Sequence, residues 1–356
     1  MNPLTPDPAV PRRDALLRPL TMAGVLSRRL HAGVPVERCE RTYVKYRVGE
    51  SLRVVYRYEI SGEPQHAAIR SGRSGCTLWP FPHDRKLAAL PALAPGSPVL
   101  ERLLGTSCTP RLVAYAAEQS ASAACLDDRG RVLAYAKVQR DGGERRGCAA
   151  LAGHDVRVPR VLADEDGVLL LEALTGARID APALRAFGRT LATLHATVPP
   201  PRERFQRLDP HRLATAAATI ARAQPDVEAA AETLLARLVT HEDDAHRRAV
   251  CLHGDANLRN ALVLPSGEVA LLDLEHVAAG PAAADVGQIL AAVGTRHAAA
   301  LLAGYAEIAP PPDRAALRWH TAASILARQA LPAISRFRPL TDLRTLLATG
   351  ADLLAT

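Results

Sequence analysis

The stretch Cys251-Leu-His-Gly-Asp-Ala-Asn-Leu-Arg-Asn260, followed by Leu271-Leu-Asp-Leu-Glu275, decides how this chain is read. It sets a carboxylate, an amide and a second carboxylate in the order Asp255, Asn260, Asp273. Phosphoryl transfer from a nucleotide needs those three groups. One carboxylate accepts the proton of the acceptor hydroxyl, and two oxygen ligands hold magnesium against the β- and γ-phosphates. Magnesium takes hard oxygen donors and keeps several waters, so one amide oxygen and one carboxylate suffice from the protein. The spacing from Asp255 to Asn260 suits a tight loop. Ala261-Leu-Val-Leu-Pro265 then reads as a short buried strand, Ser266-Gly267 as a turn, and Val269 to Leu272 as the partner strand. Such a hairpin returns Asp273 to the loop that carries Asp255 and Asn260.

These residues resemble the aminoglycoside phosphotransferase and choline kinase-like family of small-molecule kinases, which share a bilobal fold with protein kinases. The family's HGDxxxxN loop is matched by His253 to Asn260, and its metal aspartate with a following acid by Asp273-Leu-Glu275. Gly280-Pro281, then Asp285 before an apolar helix, fits a further family feature. Gly188 to His195 resembles the family's helix ahead of the loop. The resemblance implies Asp255 as catalytic base, Asn260 and Asp273 as metal ligands, and His253 and Asp285 as structural supports of the loop. It implies ATP or GTP, with Mg²⁺, as cofactors. Where eukaryotic-type kinases carry Arg before the catalytic Asp and, in Ser/Thr enzymes, Lys two positions after it, this chain has Gly254 and Asn257. Eleven residues separate Asp273 from Asp285, too few for an activation loop and a peptide-docking segment. A small acceptor is expected.

Only three lysines, Lys45, Lys86 and Lys137, occur among 44 basic residues. A lysine kept in the strand Val132-Leu-Ala-Tyr-Ala-Lys137-Val138 therefore stands out. A compact ammonium on a flexible stem reaches between phosphates better than a planar guanidinium, and Lys137 matches the family's nucleotide-binding lysine. Glu144, in the run Gly142 to Leu151, is the available partner for it, although Arg145 and Arg146 equally suit a surface charge cluster. No GxGxxG lies nearby. Phosphate contacts are expected from the turn Glu118 to Ala123, including Ser120 and Ser122. Leu169-Leu-Leu-Glu172 to Gly176 resembles the hinge, where backbone groups around Glu172 take the adenine edge.

The 356 residues allow two or three subdomains. Residues 1–20, rich in proline, read as a flexible N-terminal arm. Residues 21–105 read as an extra cap containing a β-hairpin, Tyr43 to Glu50 turning into Leu52 to Ile60. Residues 106–178 form the N-lobe and 179–356 a helical C-lobe, giving an α+β, protein kinase-like bilobal fold. Val44-x-Tyr46, Glu50 and Gly62 are echoed by Val113-x-Tyr115, Glu118 and Gly130, which suggests an internal duplication. Helices are expected over 182–195, 211–223, 226–240, 282–292, 297–308, 313–335 and 341–354. His241 to Asp244 with His246 has the residue types of a metal site but reads as a solvated helix end before the strand at Ala249.

Six scattered cysteines without a CxxC pair argue against a zinc site and for a reducing compartment. No run of about 18 apolar residues and no signal pattern occurs, so a cytoplasmic protein without membrane contact is expected. The net charge of +7 is spread over dispersed arginines without aromatic interleaving, which speaks against nucleic acid as a partner. It suits an enzyme of anionic nucleotides. The sequence thus points to an ATP-dependent phosphotransferase acting on a hydroxyl of a small molecule, such as a sugar, amino sugar or related metabolite. The alternatives are an aminoglycoside phosphotransferase and a non-catalytic nucleotide-binding regulator on the same fold. Residues 306–356 hold Glu307, Asp313, Asp342 and Asp352 against six arginines. That balance leans towards a neutral or anionic acceptor.

Overall fold

The structure, a computed structural model, describes residues 4–200, 204–205, 208–241, 249–338 and 342–355. Short helices Arg13–Leu16 (α1) and Pro19–Leu30 (α2) precede an antiparallel sheet of four strands in sequence order. Its strands are Cys39–Arg47 (β1), Ser51–Ile60 (β2), Glu63–Gly72 (β3) and Gly75–Pro80 (β4). The expected hairpin is β1 and β2. Strands β3 and β4 extend it through a two-residue turn in which Ser61 and Gly62 take φ of 51° and 78°, the positive pair that matches strand twist in tight hairpins.

The segment expected to be a loose arm is packed instead. Leu4, Val10, Leu16 and Leu17 are buried. Asp7 Oδ2 accepts from the Tyr46 hydroxyl at 2.6 Å and from Gly49 N at 2.8 Å, and Arg13 Nη2 donates to Leu4 O at 2.9 Å. Proline lowers the entropy of the unfolded segment, so little is lost in fixing it against the cap.

Helix Pro98–Leu104 (α3) leads into a five-stranded sheet of order β5-β6-β7-β9-β8. Its strands are Thr109–Ala116 (β5), Ser120–Leu126 (β6), Val132–Gln139 (β7), Val161–Glu165 (β8) and Val168–Glu172 (β9), with helix Gly143–Leu151 (α4) between β7 and β8. In the echoed motifs, Tyr46 and Tyr115 lie on the first strands of the two meanders. Glu50 and Glu118 lie in the first turns, and Gly62 and Gly130, both at φ 78°, in the second.

Beyond Ala177–Arg178 (β10) the chain is mainly helical. It runs through Leu184–Ala196 (α5), Pro210–Ala223 (α6) and Glu228–Thr240 (α7). Strands Ala249–Leu252 (β11), Ala261–Val263 (β12), Val269–Leu271 (β13) and Ala278–Pro281 (β14) follow, then Ala283–Val293 (α8), Thr295–Ala306 (α9), Arg314–Ser324 (α10), Leu331–Ser335 (α11) and Leu343–Asp352 (α12). β12 and β13 are the expected hairpin, with Ala261 opposite Leu271. The expected helix 313–335 contains a π-helical turn, Ile325–Ala330. The acidic run after His241, with His246, lies outside the described residues.

Alternation along β2 joins the parts. Val54 and Tyr56 enter a core shared with α6, α7 and α10 to α12, while Val55 on the opposite face enters a core with the β5–β9 sheet. The cap is therefore buried on both faces and contacts both lobes. None of the helices among the described residues is long and apolar enough to cross a membrane.

Candidate active site

The catalytic-loop stretch leaves β11 at Leu252 and turns on Gly254, whose φ is +73° and whose Cβ, if present, would lie 2.0 Å from His276 O. Only glycine fits there, because the left-handed conformation and the close backbone both exclude a side chain. Asp285, fully buried at the start of α8, accepts from His253 N at 2.7 Å and Gly254 N at 3.0 Å. His195 Nε2 approaches the same carboxylate at 3.3 Å, and its Nδ1 meets the Tyr305 hydroxyl at 2.8 Å. Burial pushes the Asp285 carboxyl up, but His195 and the backbone donors outweigh that and hold it below the ordinary carboxylate range. His253 is fixed as well. Its Nδ1 accepts from Asp255 N at 3.3 Å, so the proton sits on Nε2 and is donated to Leu272 O at 2.9 Å. The loop is thus tied to α8 on one side and to the strand end before Asp273 on the other.

Asp255 Oδ1 accepts from Gln288 Nε2 and from Arg328 Nη1, each at 2.9 Å. Arg328 also donates Nη2 to Gly254 O at 2.9 Å. Neither partner was expected. Gln288 stands one helical turn after Asp285, a spacing that could have revealed it, whereas Arg328 comes from the π-helical turn and carries no sequence signal. Asn260 Nδ2 donates to Asp255 O at 3.1 Å, which leaves its amide oxygen to face elsewhere.

Across the cleft, Lys137 Nζ bridges Glu144 Oε2 at 2.6 Å and Asp273 Oδ1 at 2.7 Å. Burial pushes the lysine pKa down, but Asp273 and Glu144 reverse this and keep the ammonium charged. Asp273 is likewise raised by burial and lowered further by Lys137. Asp273 itself is left-handed, at φ 59°, a conformation uncommon outside glycine that collects at functional sites. Glu144 does double duty, since Oε1 accepts Leu274 N at 3.0 Å. Helix α4 reaches that backbone because Gly143 and Gly147 face it. A Cβ on Gly147 would lie 1.9 Å from Leu274 O. Gln139 completes the junction by accepting from Glu144 N at 2.9 Å and donating to Glu275 at 2.8 Å.

Ser122 pairs with Lys137 across β6 and β7, and Ser120 with Gln139, so both serines share the face that carries the lysine. The turn between β5 and β6 is held by the cap. Glu118, itself buried, pairs with Arg53 at 3.3 Å, Arg70 at 3.3 Å and Lys86 at 3.4 Å. The Tyr43 hydroxyl donates to Gln119 Oε1 at 2.5 Å. The Glu172 side chain and N–H both have partners within the protein. Its carboxylate takes Arg157 at 2.8 Å and Arg160 at 3.3 Å, and its N–H goes to Arg160 O at 2.9 Å. The hinge reading therefore narrows to backbone carbonyls near Glu172 and the stretch 173–176.

The sequence profile of the phosphotransferase enzyme family, APH, matches residues 136–320, more than half of the chain. No curated protein matches at a significant level. Among solved structures, a candidate fructosamine-3-kinase from Thermobifida fusca superposes with a TM-score of 0.52 at 18% identity, over 72% of this chain and 97% of the other. The choline kinase LicA from Streptococcus pneumoniae gives 0.52 at 13% identity, over 72% and 98%. The gentamicin complex of APH(2")-IIa gives 0.51 at 14%, over 72% and 94%. At these identities the likeness establishes the bilobal kinase-like fold.

Proposed function

The chain belongs to the phosphotransferase enzyme family, and from that membership we propose that it moves the γ-phosphoryl group of ATP to a hydroxyl of a small molecule, a sugar, amino sugar or related metabolite. The observation that carries this reading is the Lys137 bridge between Glu144 and Asp273 across the cleft from Asp255. Asp255 orients the acceptor hydroxyl and takes its proton as the oxygen attacks the γ-phosphorus. The new O–P bond forms while the bond from phosphorus to the β–γ bridging oxygen breaks, and ADP leaves. Lys137 holds the α- and β-phosphates, with Ser120 and Ser122 on the same strand face. His253 and Asp285 fix the loop so that Asp255 does not drift.

The donor set suits magnesium. Asp273 already holds a cation, the Lys137 ammonium, at 2.7 Å, and the Asn260 amide oxygen is a second hard donor. Asn260 and Asp273 would hold the ion, which when bound neutralises charge on the β- and γ-phosphates.

A polycationic acceptor is disfavoured. Glu307 pairs with Arg185 and Arg189, Asp313 caps α10, Asp342 caps α12, and Asp352 pairs with Arg237. The four acids of the C-terminal helices are thus committed elsewhere. The test is a screen of Mg²⁺–ATP against sugars, amino sugars, sugar phosphates, sugar acids, choline and aminoglycosides, read as ADP release and phosphorylated product. Product on a sugar, an amino sugar or an acidic derivative of one is expected. ATP binding with no product on any acceptor would favour the non-catalytic regulator.

A further inference from the structure

The cap carries cations on the face turned to the β5–β6 turn that the phosphoryl-transfer reading does not use. Lys45 alternates with Tyr43 on β1 and lies opposite Arg53 on β2. That face looks at the β5–β6 turn, since Tyr43 bonds Gln119 and Arg53 pairs with Glu118. Arg53 shares the single carboxylate of Glu118 with Arg70, Arg85 and Lys86, whereas among the described residues no carboxylate stands within ion-pair distance of Lys45 or Arg336. Arg336 ends α11, which packs on β1, and the neighbouring Phe337 ring lies 5.8 Å from that of Tyr46. Burial, then the positive charges of Arg53, Arg47, Arg336 and Arg140, push the Lys45 pKa down to about 8. Arg338, two residues on, feels Arg336, Arg259 and Asp255. The positive charge thus continues from the cap to the catalytic carboxylate, where Arg328 already pairs with Asp255 at 2.9 Å.

Unpaired like charges held together raise the free energy of the apo protein, and an anion seated among them relieves it. Lysine and arginine are also the side chains that bind phosphate and carboxylate groups. We propose that the acceptor carries a negatively charged group, a phosphate or carboxylate, held between Lys45 of the cap and Arg336 and Arg338 behind the π-helical turn, with its hydroxyl at Asp255. This rests on the kinase reading above and adds the charge of the substrate. It also gives the cap a part in the reaction, as the wall that selects the acceptor.

The test is calorimetry on the full chain, first saturated with Mg²⁺ and a non-hydrolysable ATP analogue so that the triphosphate site is filled. Inorganic phosphate, glucose 6-phosphate and gluconate are titrated in, with glucose and kanamycin as neutral and cationic controls. At least one anion is expected to bind the loaded protein about tenfold or more tightly than either control. Lys45→Gln and Arg336→Ala are each expected to weaken that anion about tenfold while leaving the nucleotide affinity unchanged. Arg336 is exposed, so its variant keeps the test valid should Lys45→Gln disturb the cap. Anion binding only before the nucleotide is loaded would assign the cations to the triphosphate and overturn the proposal. So would an absence of anion binding, preference for kanamycin, or unchanged anion affinity in both variants. A protein that takes up the anion but no Mg²⁺–nucleotide would remove the kinase reading and leave the anion site standing.

Discussion

Arg328 Nη1 donates to Asp255 Oδ1 at 2.9 Å from the π-helical turn Ile325–Ala330. The same guanidinium binds Gly254 O through Nη2 at 2.9 Å, so one side chain fixes both the carboxylate and the backbone beside it. π-Turns within helices are frequent at functional sites, and here the turn aims an arginine at the proposed base. Arg328→Gln should leave Mg²⁺–ATP affinity unchanged and lower kcat by about tenfold to a hundredfold through misplacement of the carboxylate. Unchanged kcat in that variant would make the contact incidental.

Lys137→Arg keeps the charge but replaces a compact donor with a planar fork in a position that is 13% exposed. Two carboxylates already converge on the ammonium within 2.7 Å, and a guanidinium does not fit both contacts and two phosphates together. Turnover should fall by about a hundredfold with little change in Tm. Full activity in Lys137→Arg would move the phosphate-anchoring role to another group.

Gly147→Ala tests the helix contact that aligns Glu144. The new methyl would meet Leu274 O at 1.9 Å, so α4 must withdraw and take Glu144 away from Lys137 and Leu274 N. Both a lower Tm and a loss of turnover by about a hundredfold are expected. Ala149→Ser, on the exposed side of the helix, should do neither.

The Arg157 side chain first, with the backbone and side chain of Arg160, holds the Glu172 carboxyl at about 2, below its ordinary 4.5. A depressed carboxylate stabilises the fold fully above its unfolded pKa, and that contribution is lost as pH falls from 4.5 towards 2. The Tm advantage of the wild type over Glu172→Gln should therefore be greatest near neutrality and shrink between about pH 4.5 and pH 3. Nucleotide affinity should be equal in the two proteins, because the Glu172 carboxylate is committed to the arginines. A large loss of nucleotide binding in Glu172→Gln would assign the side chain, and not only the backbone, to the cofactor site.

Much of this site could be read from the chain because its groups lie in short segments with fixed spacing. Asp255 and Asn260 share one loop, Asp273 ends the hairpin that follows, and Lys137 is conspicuous where arginine has replaced lysine nearly everywhere. The contacts that were missed depend on tertiary packing. Arg328 meets Asp255 across 73 residues, and nothing in Ile325-Leu-Ala-Arg-Gln-Ala330 marks a π-turn. Glu118 reads as part of a phosphate loop, yet four cap cations hold its carboxylate. The hairpin of β1 and β2 was legible from alternating aromatic and β-branched residues. β3 was not, since Ile69 is its one large buried apolar residue and its other buried positions are Ala67, Ala68 and Ser71, small residues that give a weak strand signal. The N-terminal prolines suggested a loose arm because proline content says nothing of whether Leu4, Val10 and Leu16 find a core.

The central claim is that Asp255 serves as the base of a phosphoryl transfer, and Asp255→Asn tests it most directly. Wild type and variant are compared by calorimetric Mg²⁺–ATP affinity and by acceptor-dependent transfer of γ-phosphate, followed by mass spectrometry of the product. The amide keeps the shape and the contact with Arg328 yet does not accept the hydroxyl proton. Equal nucleotide affinity, with transfer lost by about a thousandfold or more, is the predicted result. Transfer retained in Asp255→Asn at more than about a tenth of the wild-type rate would contradict the account.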